Sequence, residues 1–201
     1  MDLVATLFST GWASGVNAYG TVALLGLLGR AGVGEVPDTL ESDPVIVAAA
    51  VMFAIEFVTD KVPYLDNLWD VAHTFVRPLA GGAVGALFAG DANVSTLDEV
   101  LSAGGSGTTA LLSHSVKAGM RLGINTSPEP ASNILLSLTE DGLVALVIVF
   151  ALEQPVLAAA IAAALLISSG ALVIYLAKRI RAGWRRLRAG REPPGQSSNS
   201  A

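Results

Sequence analysis

The segment Val156–Ala177, VLAAAIAAALLISSGALVIYLA, runs for twenty-two residues without a charged side chain. About twenty apolar residues in a helix cover a hydrocarbon core of roughly 30 Å. A helix buried inside a soluble domain seldom needs that length, so the segment reads as a membrane span. The rest of the chain agrees: of 201 residues, 52% are hydrophobic and 14% charged, with mean hydropathy +0.59. Soluble domains carry about 25% charged residues.

Immediately after this span come seven basic residues, Lys178, Arg179, Arg181, Arg185, Arg186, Arg188 and Arg191, against Glu192 alone. Residues 1–177 show the opposite balance, five basic against sixteen acidic. A basic cluster at a span's end marks the cytoplasmic side, and it can hold anionic lipid head groups at about 1 kcal/mol per basic side chain. Nucleic acid is not the expected partner, because no folded domain accompanies the cluster. The last residues, EPPGQSSNSA, have the composition of a disordered tail, giving a bundle domain over 1–178 and a tail over 179–201. The chain has no cysteine, hence no disulfide or thiolate site. Asp2 stands where a signal peptide would be basic, so the N-terminus reads as a retained first helix.

Five more apolar segments precede the first: residues 3–29, 44–61, 64–90, 102–122 and 131–152. The expected fold is all-α, a polytopic membrane bundle of about six transmembrane helices with interrupted or half helices. Segment one is broken by Ser14-Gly15-Val16-Asn17-Ala18-Tyr19-Gly20. Segment three should kink at Pro78, which removes a backbone hydrogen bond; Pro63 precedes it as a further break. With the C-terminus inside, Lys61, Lys117 and Arg121 fall at inner helix ends and the acidic loops 35–43 and 91–99 fall outside. Only Arg30 departs from that pattern, and both termini are expected in the cytoplasm.

Two internal similarities bear on symmetry. Residues 63–90 and 130–152 share a proline, a polar half and an apolar half; Gly15-Val16-Asn17-Ala18 is similar to Gly107-Thr108-Thr109-Ala110. Together they fit a 3+3 inverted repeat, a recurring transporter layout. Close packing of small residues between membrane helices accounts for the glycines without any repeat.

The strings GWASGVNAYGTVALLGLLGR, EFVTDKVPYLDNLWDVAHTFVRP, SHSVKAGMR and NTSPEPASNILLSLTEDGLV resemble the bacterial integral membrane proteins grouped as domain of unknown function 4126, over nearly all of residues 9–150. The resemblance implies a bacterial inner-membrane protein and assigns no activity and no catalytic residue.

A charge near the bilayer centre costs about 2.5–3.5 kcal/mol on insertion scales, so ionisable residues inside spans are candidates for function. Asp66, Asp70, His73 and Arg77, at spacings of four, three and four, share one helical stripe. They could bind a divalent cation or relay protons, or lie hydrated at the inner interface. Glu56 and Asp60 repel at i, i+4 unless a cation, proton or partner intervenes; Lys117, Arg121 and Arg77 are the candidate partners. His114, Lys117 and Arg121 form a basic stripe, and Glu140-Asp141 a tandem acidic pair. Asn17 and Tyr19 sit in the broken helix, where freed backbone groups need protein or water partners.

These stripes suit three functions: a small transporter or channel for an ion or polar solute; a non-catalytic accessory or scaffold protein, with the basic tail and the amphipathic 64–77 segment on the inner surface; and a membrane enzyme with Asp66, Asp70 and His73 as metal ligands. The sequence has no phosphate loop, dinucleotide fingerprint or HExxH zinc motif, and neither histidine belongs to an evident triad. The transporter or channel is the expectation, without enzymatic activity or cofactor. The expected partners are the lipid bilayer and either a second copy or a membrane-complex subunit.

Overall fold

The computed structural model describes residues 2–62, 64–125 and 130–189. Among them the backbone forms helices and no strand: α1 Leu3–Val16, α2 Ala18–Arg30, α3 Asp38–Glu41, α4 Asp43–Thr59, α5 Leu65–His73, α6 Val76–Asp91, α7 Thr96–Ile124, α8 Pro130–Glu153 and α9 Pro155–Ala189. Among the described residues two helices are long and apolar enough to cross a membrane, within Ala131–Glu153 and Pro155–Gly183, or three if α5 and α6, a pair bent by 48°, count as one span. The expected break at Pro63 and the tail beyond residue 189 lie outside the described residues.

The interior is unusual for its polarity. Buried side chains include Ser9, Thr10, Ser14, Asn17, Glu56, Asp66, Arg77, Lys117 and Arg121. Large hydrophobics face outward instead, among them Val47, Val51 and Val58 on α4, Leu68 and Val71 on α5, and Leu135 on α8. Such a pattern would expose much apolar surface to water at about 25 cal/mol per Å²; in lipid it costs nothing. The amphipathic 64–77 segment thus turns its polar face, Asp66, Asp70 and His73, into the bundle, where an inner-surface helix would show it to water.

Side-chain neighbours fix the helix directions. Call the end carrying Glu35, Asp38, Glu41 and Asp91 the acidic end, and the end where α9 meets Lys178 the basic end. Helix α6 lies antiparallel to α7, with Gly81 against Ala110 and Gly85 against Ser106. Helix α9 lies parallel to α7, with Gly119 beside Val173 and Gly123 beside Leu176. The C-terminus of α4 meets that of α7, where Lys117 and Arg121 bind Asp60, and the far end of α8 sets Leu152 against Gly34. Helices α4, α5 with α6, α7, α8 and α9 therefore each run from end to end.

The first segment does not. Helix α1 starts beside the N-terminus of α7 and runs parallel to it, Gly11 against Ser106 and Gly15 against Ala110 and Ser113. After the single extended residue Asn17 (φ −149°, ψ 97°), α2 returns alongside α4 with Gly20 at Phe53, Gly26 at Ile46 and Gly29 at Glu41. Residues 37–39 then border Gly90, Asp91 and Glu99, back at the acidic end. The pair is a helical hairpin whose turn sits inside the bundle. At 1.5 Å per residue, fourteen and thirteen residues give arms of about 20 Å, too short to cross alone.

This corrects the six-crossing layout with both termini on one side: Leu3 and the basic end of α9 lie at opposite ends. The proposed repeat fares no better in detail. Helix α7 runs unbroken through 107–110 and α8 through 133–141, so neither the break at Asn17 nor the α5–α6 bend has a counterpart. That bend falls at Thr74–Phe75, ahead of Pro78, which occupies the first turn of α6 where its missing N–H is not needed. Helix α7 begins at Thr96 rather than 102, because Ser95 Oγ accepts from the Asp98 N–H at 3.2 Å and donates to the Asp98 carboxylate at 2.7 Å. Asp98 and Glu99 are first-turn acids that suit the helix dipole, though by composition they look like loop.

Candidate functional site

Two halves of the interior differ. Toward the acidic end, Leu7, Trp12, Leu25, Val84, Phe88, Val147 and Ile148 form an apolar core around the hairpin. Toward the basic end, directly against the hairpin turn, lies a continuous ion-pair cluster drawn from α4 to α8.

Arg77, fully buried, binds Glu56 at 2.6 Å and Asp70 at 3.0 Å. Lys117 binds Asp60 at 2.9 Å, with Glu140 at 3.6 Å and Glu56 at 3.7 Å. Arg121 binds Glu140 at 2.5 Å and Asp60 at 3.0 Å, with Asp66 at 3.7 Å and Asp70 at 3.9 Å. The i, i+4 repulsion of Glu56 and Asp60 is thus relieved by the three cations named from the sequence. The acidic pair Glu140-Asp141 separates, since successive residues point about 100° apart on a helix. Glu140 enters the cluster, whereas Asp141 accepts from Asn17 Nδ2 at 3.0 Å and lies 3.8 Å from Lys61 Nζ. Lys61 sits in the turn beyond α4, over the Phe57 ring. Burial there lowers its pKa, and Asp141 and Asp60 pull against that effect.

The hairpin turn belongs to the same cluster. The Gly20 N–H would ordinarily bond Val16 O, but it goes to Asn17 Oδ1 at 2.8 Å. Val16 O is left free, and Lys117 Nζ takes it at 2.8 Å. Arg77 Nη1 approaches Gly15 O at 3.5 Å, and Ser113 Oγ donates to Trp12 O at 2.8 Å. The carbonyl end of a half-helix, which carries partial negative charge, thus meets two cations and a hydroxyl. Tyr19, two residues past Asn17, pairs its Oη with His73 Nε2 at 2.9 Å while His73 Nδ1 faces Trp69 O at 2.8 Å.

The stripe Asp66, Asp70, His73 and Arg77 is brought inside but does not form a metal centre. Asp66 takes Asn125 Nδ2 on both oxygens at 3.0 Å, Asp70 faces Arg77, and His73 faces Tyr19. Among the described residues, no three His, Cys, Asp or Glu side chains are grouped to hold a metal ion. Nor is the stripe hydrated: Asp66 is 0% and Asp70 2% exposed. His114 accepts from Arg77 Nη1 on Nδ1 at 2.7 Å, with Nε2 at 3.3 Å from Thr74 Oγ1. A guanidinium has no lone pair to offer, so this Nδ1 is unprotonated and the ring neutral.

The candidate site residues read from the sequence did not include Asn125 and Asn133, the latter bonding Asp60 O at 3.2 Å. Both were findable. Asn125 extends the 114, 117, 121 stripe by four, and Asn133 lies seven residues before Glu140, on its face of α8.

Two cavities flank the turn. One of about 260 Å³ is lined by Trp12, Val16, Lys117, Glu140 and, from α9, Leu165 and Ser169. The other, about 270 Å³, is lined by Asn17, Leu24, Phe53 and Asp141.

A family model described as a domain of unknown function (DUF4126) matches residues 4–177. The chain belongs to the DUF4126 family. The match covers α1 to α8 and most of α9, so hairpin and cluster both lie within the DUF4126 domain. No curated protein and no solved structure matches the chain.

Proposed function

We propose that this DUF4126 protein is a small carrier or channel, without enzymatic activity, that passes an ion or small polar solute across a bacterial inner membrane. Five helical spans, α4, α5 with α6, α7, α8 and α9, enclose the re-entrant α1–α2 hairpin. The basic end faces the cytoplasm, since α9 leads there into exposed Lys178, Arg179, Arg181 and Arg185 and the acidic loops lie opposite. Arg30, the exception at the acidic end, is paired with Asp43 at 2.6 Å. The basic helix end suits anionic lipid head groups.

The observation that carries this reading is the hairpin turn seated on a buried ion cluster between two cavities. Interrupted helices whose ends meet charged groups at mid-membrane recur in transporters, and non-helical backbone at that depth is tolerated where protein or a cavity satisfies it. Glu140, about 15 Å along α8 from Pro130, is at that depth. A scaffold would gain nothing from burying so many charges, because well-packed apolar residues are often as stable or more so.

The test is flux into proteoliposomes holding the purified full chain, across a panel of protons, alkali cations and small polar solutes. At least one should move faster than in empty liposomes, and Glu56→Gln should abolish that movement while the protein still elutes as a folded species. No flux above empty liposomes, or flux untouched by the substitution, contradicts the reading.

A further inference from the structure

We infer that the cluster holds two protons at neutral pH, shared among Glu56, Asp70 and Glu140, and that the proton is the ion it moves. As a statement about transport this rests on the function proposed above; as a statement about protonation it stands alone.

The first ground is charge. Glu56, Asp60, Asp66, Asp70 and Glu140 face Arg77, Lys117 and Arg121, with no side chain of the eight more than 7% exposed. Among the described residues, the remaining neighbours do not restore balance. Lys61 and Asp141 cancel each other, and His114 is neutral. His73 bonds outside the eight, its Nδ1 donating to the Trp69 carbonyl and its Nε2 paired with Tyr19 Oη. The hairpin brings only carbonyls, Tyr19 and Asn17, and the part of α9 that lines the neighbouring cavity is leucine and serine. Two negative charges are therefore in excess. An unpaired buried ion costs several kcal/mol, and such groups neutralise instead.

The second ground is hydrogen bonding. Asp60 Oδ2 takes both Lys117 and Arg121, and Asp66 takes Asn125 twice and the Asn67 N–H; these two are the ionised pair. The other three accept fewer: Glu56 one, from Arg77, Glu140 one, from Arg121, and Asp70 none, its Oδ1 meeting Arg77 at 3.0 Å as an ion pair alone. Glu56 Oε2 and Glu140 Oε1, like Asp60 Oδ1, have no donor. A carboxyl oxygen that accepts no hydrogen bond is free to carry a proton itself. A metal ion is the poorer occupant, because the carboxylates are spread around three cations and not gathered on one point. Each step is simple: a carboxylate takes a proton from hydronium, leaving water, and later returns it. Glu140 lines the cavity beside Lys117 and Ser169.

Infrared spectroscopy of the purified full chain in lipid nanodiscs at neutral pH reads this directly, whether or not anything is transported. The carbonyl stretch of protonated carboxyl groups should be present and shift in heavy water. It should fall by about half in at least one of Glu140→Gln, Glu56→Gln and Asp70→Asn. Absence of the band in the unaltered protein, or a band unchanged in all three variants, overturns the proposal. So does a band that disappears in sodium chloride and survives in choline chloride, which would make the occupant a metal cation. A band present without any flux would leave the protons in place and remove the transport reading alone.

Discussion

Arg121→Met should destabilise the bundle by about 3–5 kcal/mol, the usual cost of removing one partner from a buried ion pair. The guanidinium is 0% exposed and lies within 4 Å of Asp60, Asp66, Asp70 and Glu140. It also donates to Asp60 O at the end of α4 at 3.2 Å. Methionine fills much of the volume and supplies none of the five N–H donors. Asp66 and Glu140 then lose their nearest cation, and Asp60 and Asp70 keep only Lys117 and Arg77. Glu140→Gln should cost far less, since glutamine keeps an acceptor for Arg121 and removes one of the excess negative charges. Thermal unfolding of both variants in one detergent separates the cases. Equal losses in the two would mean that Arg121 does not hold the cluster together.

Gly15→Ala should be the most damaging small substitution in the chain. A Cβ there collides with Ser113 Oγ and with the main chain of Ala110. Main chain cannot swing aside, so α1 must lift from α7, at the 1–3 kcal/mol or more that overpacking costs. The same shift withdraws Trp12 O from Ser113 and Val16 O from Lys117, so any flux should fall with the stability. Gly104→Ala is the control within the same helix pair. Nothing lies within 4 Å of its would-be Cβ, and a mid-helix alanine gains about 0.5–1 kcal/mol over glycine. Unfolding temperatures that fall for Gly15→Ala and rise slightly for Gly104→Ala are expected. A neutral Gly15→Ala would mean that the hairpin does not pack on α7 in this register.

Much of this architecture is written in local pattern. The break at residues 14–20, the stripes at 66, 70, 73 and 77 and at 114, 117 and 121, and the isolated pair Glu56 and Asp60 all follow from helical spacing. They also gather where opposite signs require. What local pattern does not carry is direction. Twenty-seven weakly polar residues around Asn17 look alike to a hydropathy reading whether the chain continues or folds back. Only long-range neighbours decide: Gly11 and Gly15 against α7, Gly20 and Gly26 against α4. The metal reading failed for a related reason. A shared helical face says which side chains point together, not what meets them, and Asn125, Arg77 and Tyr19 come from other elements. Acidic first-turn residues hid the start of α7 because Asp98 and Glu99 serve a helix N-terminus and a solvated loop equally well.

The re-entrant hairpin is the feature on which site and proposed function both depend, and the absence of native cysteine makes it testable in living cells. Asp2→Cys, Glu35→Cys and Lys178→Cys, each alone, would be exposed to a membrane-impermeant thiol reagent in intact cells stripped of outer membrane and in inverted vesicles. Modification of positions 2 and 35 from one side and of 178 from the other is the predicted result. Position 2 reacting from the same side as 178, with 35 on the opposite side, would mean that the first segment crosses the membrane, and the hairpin would have to be abandoned.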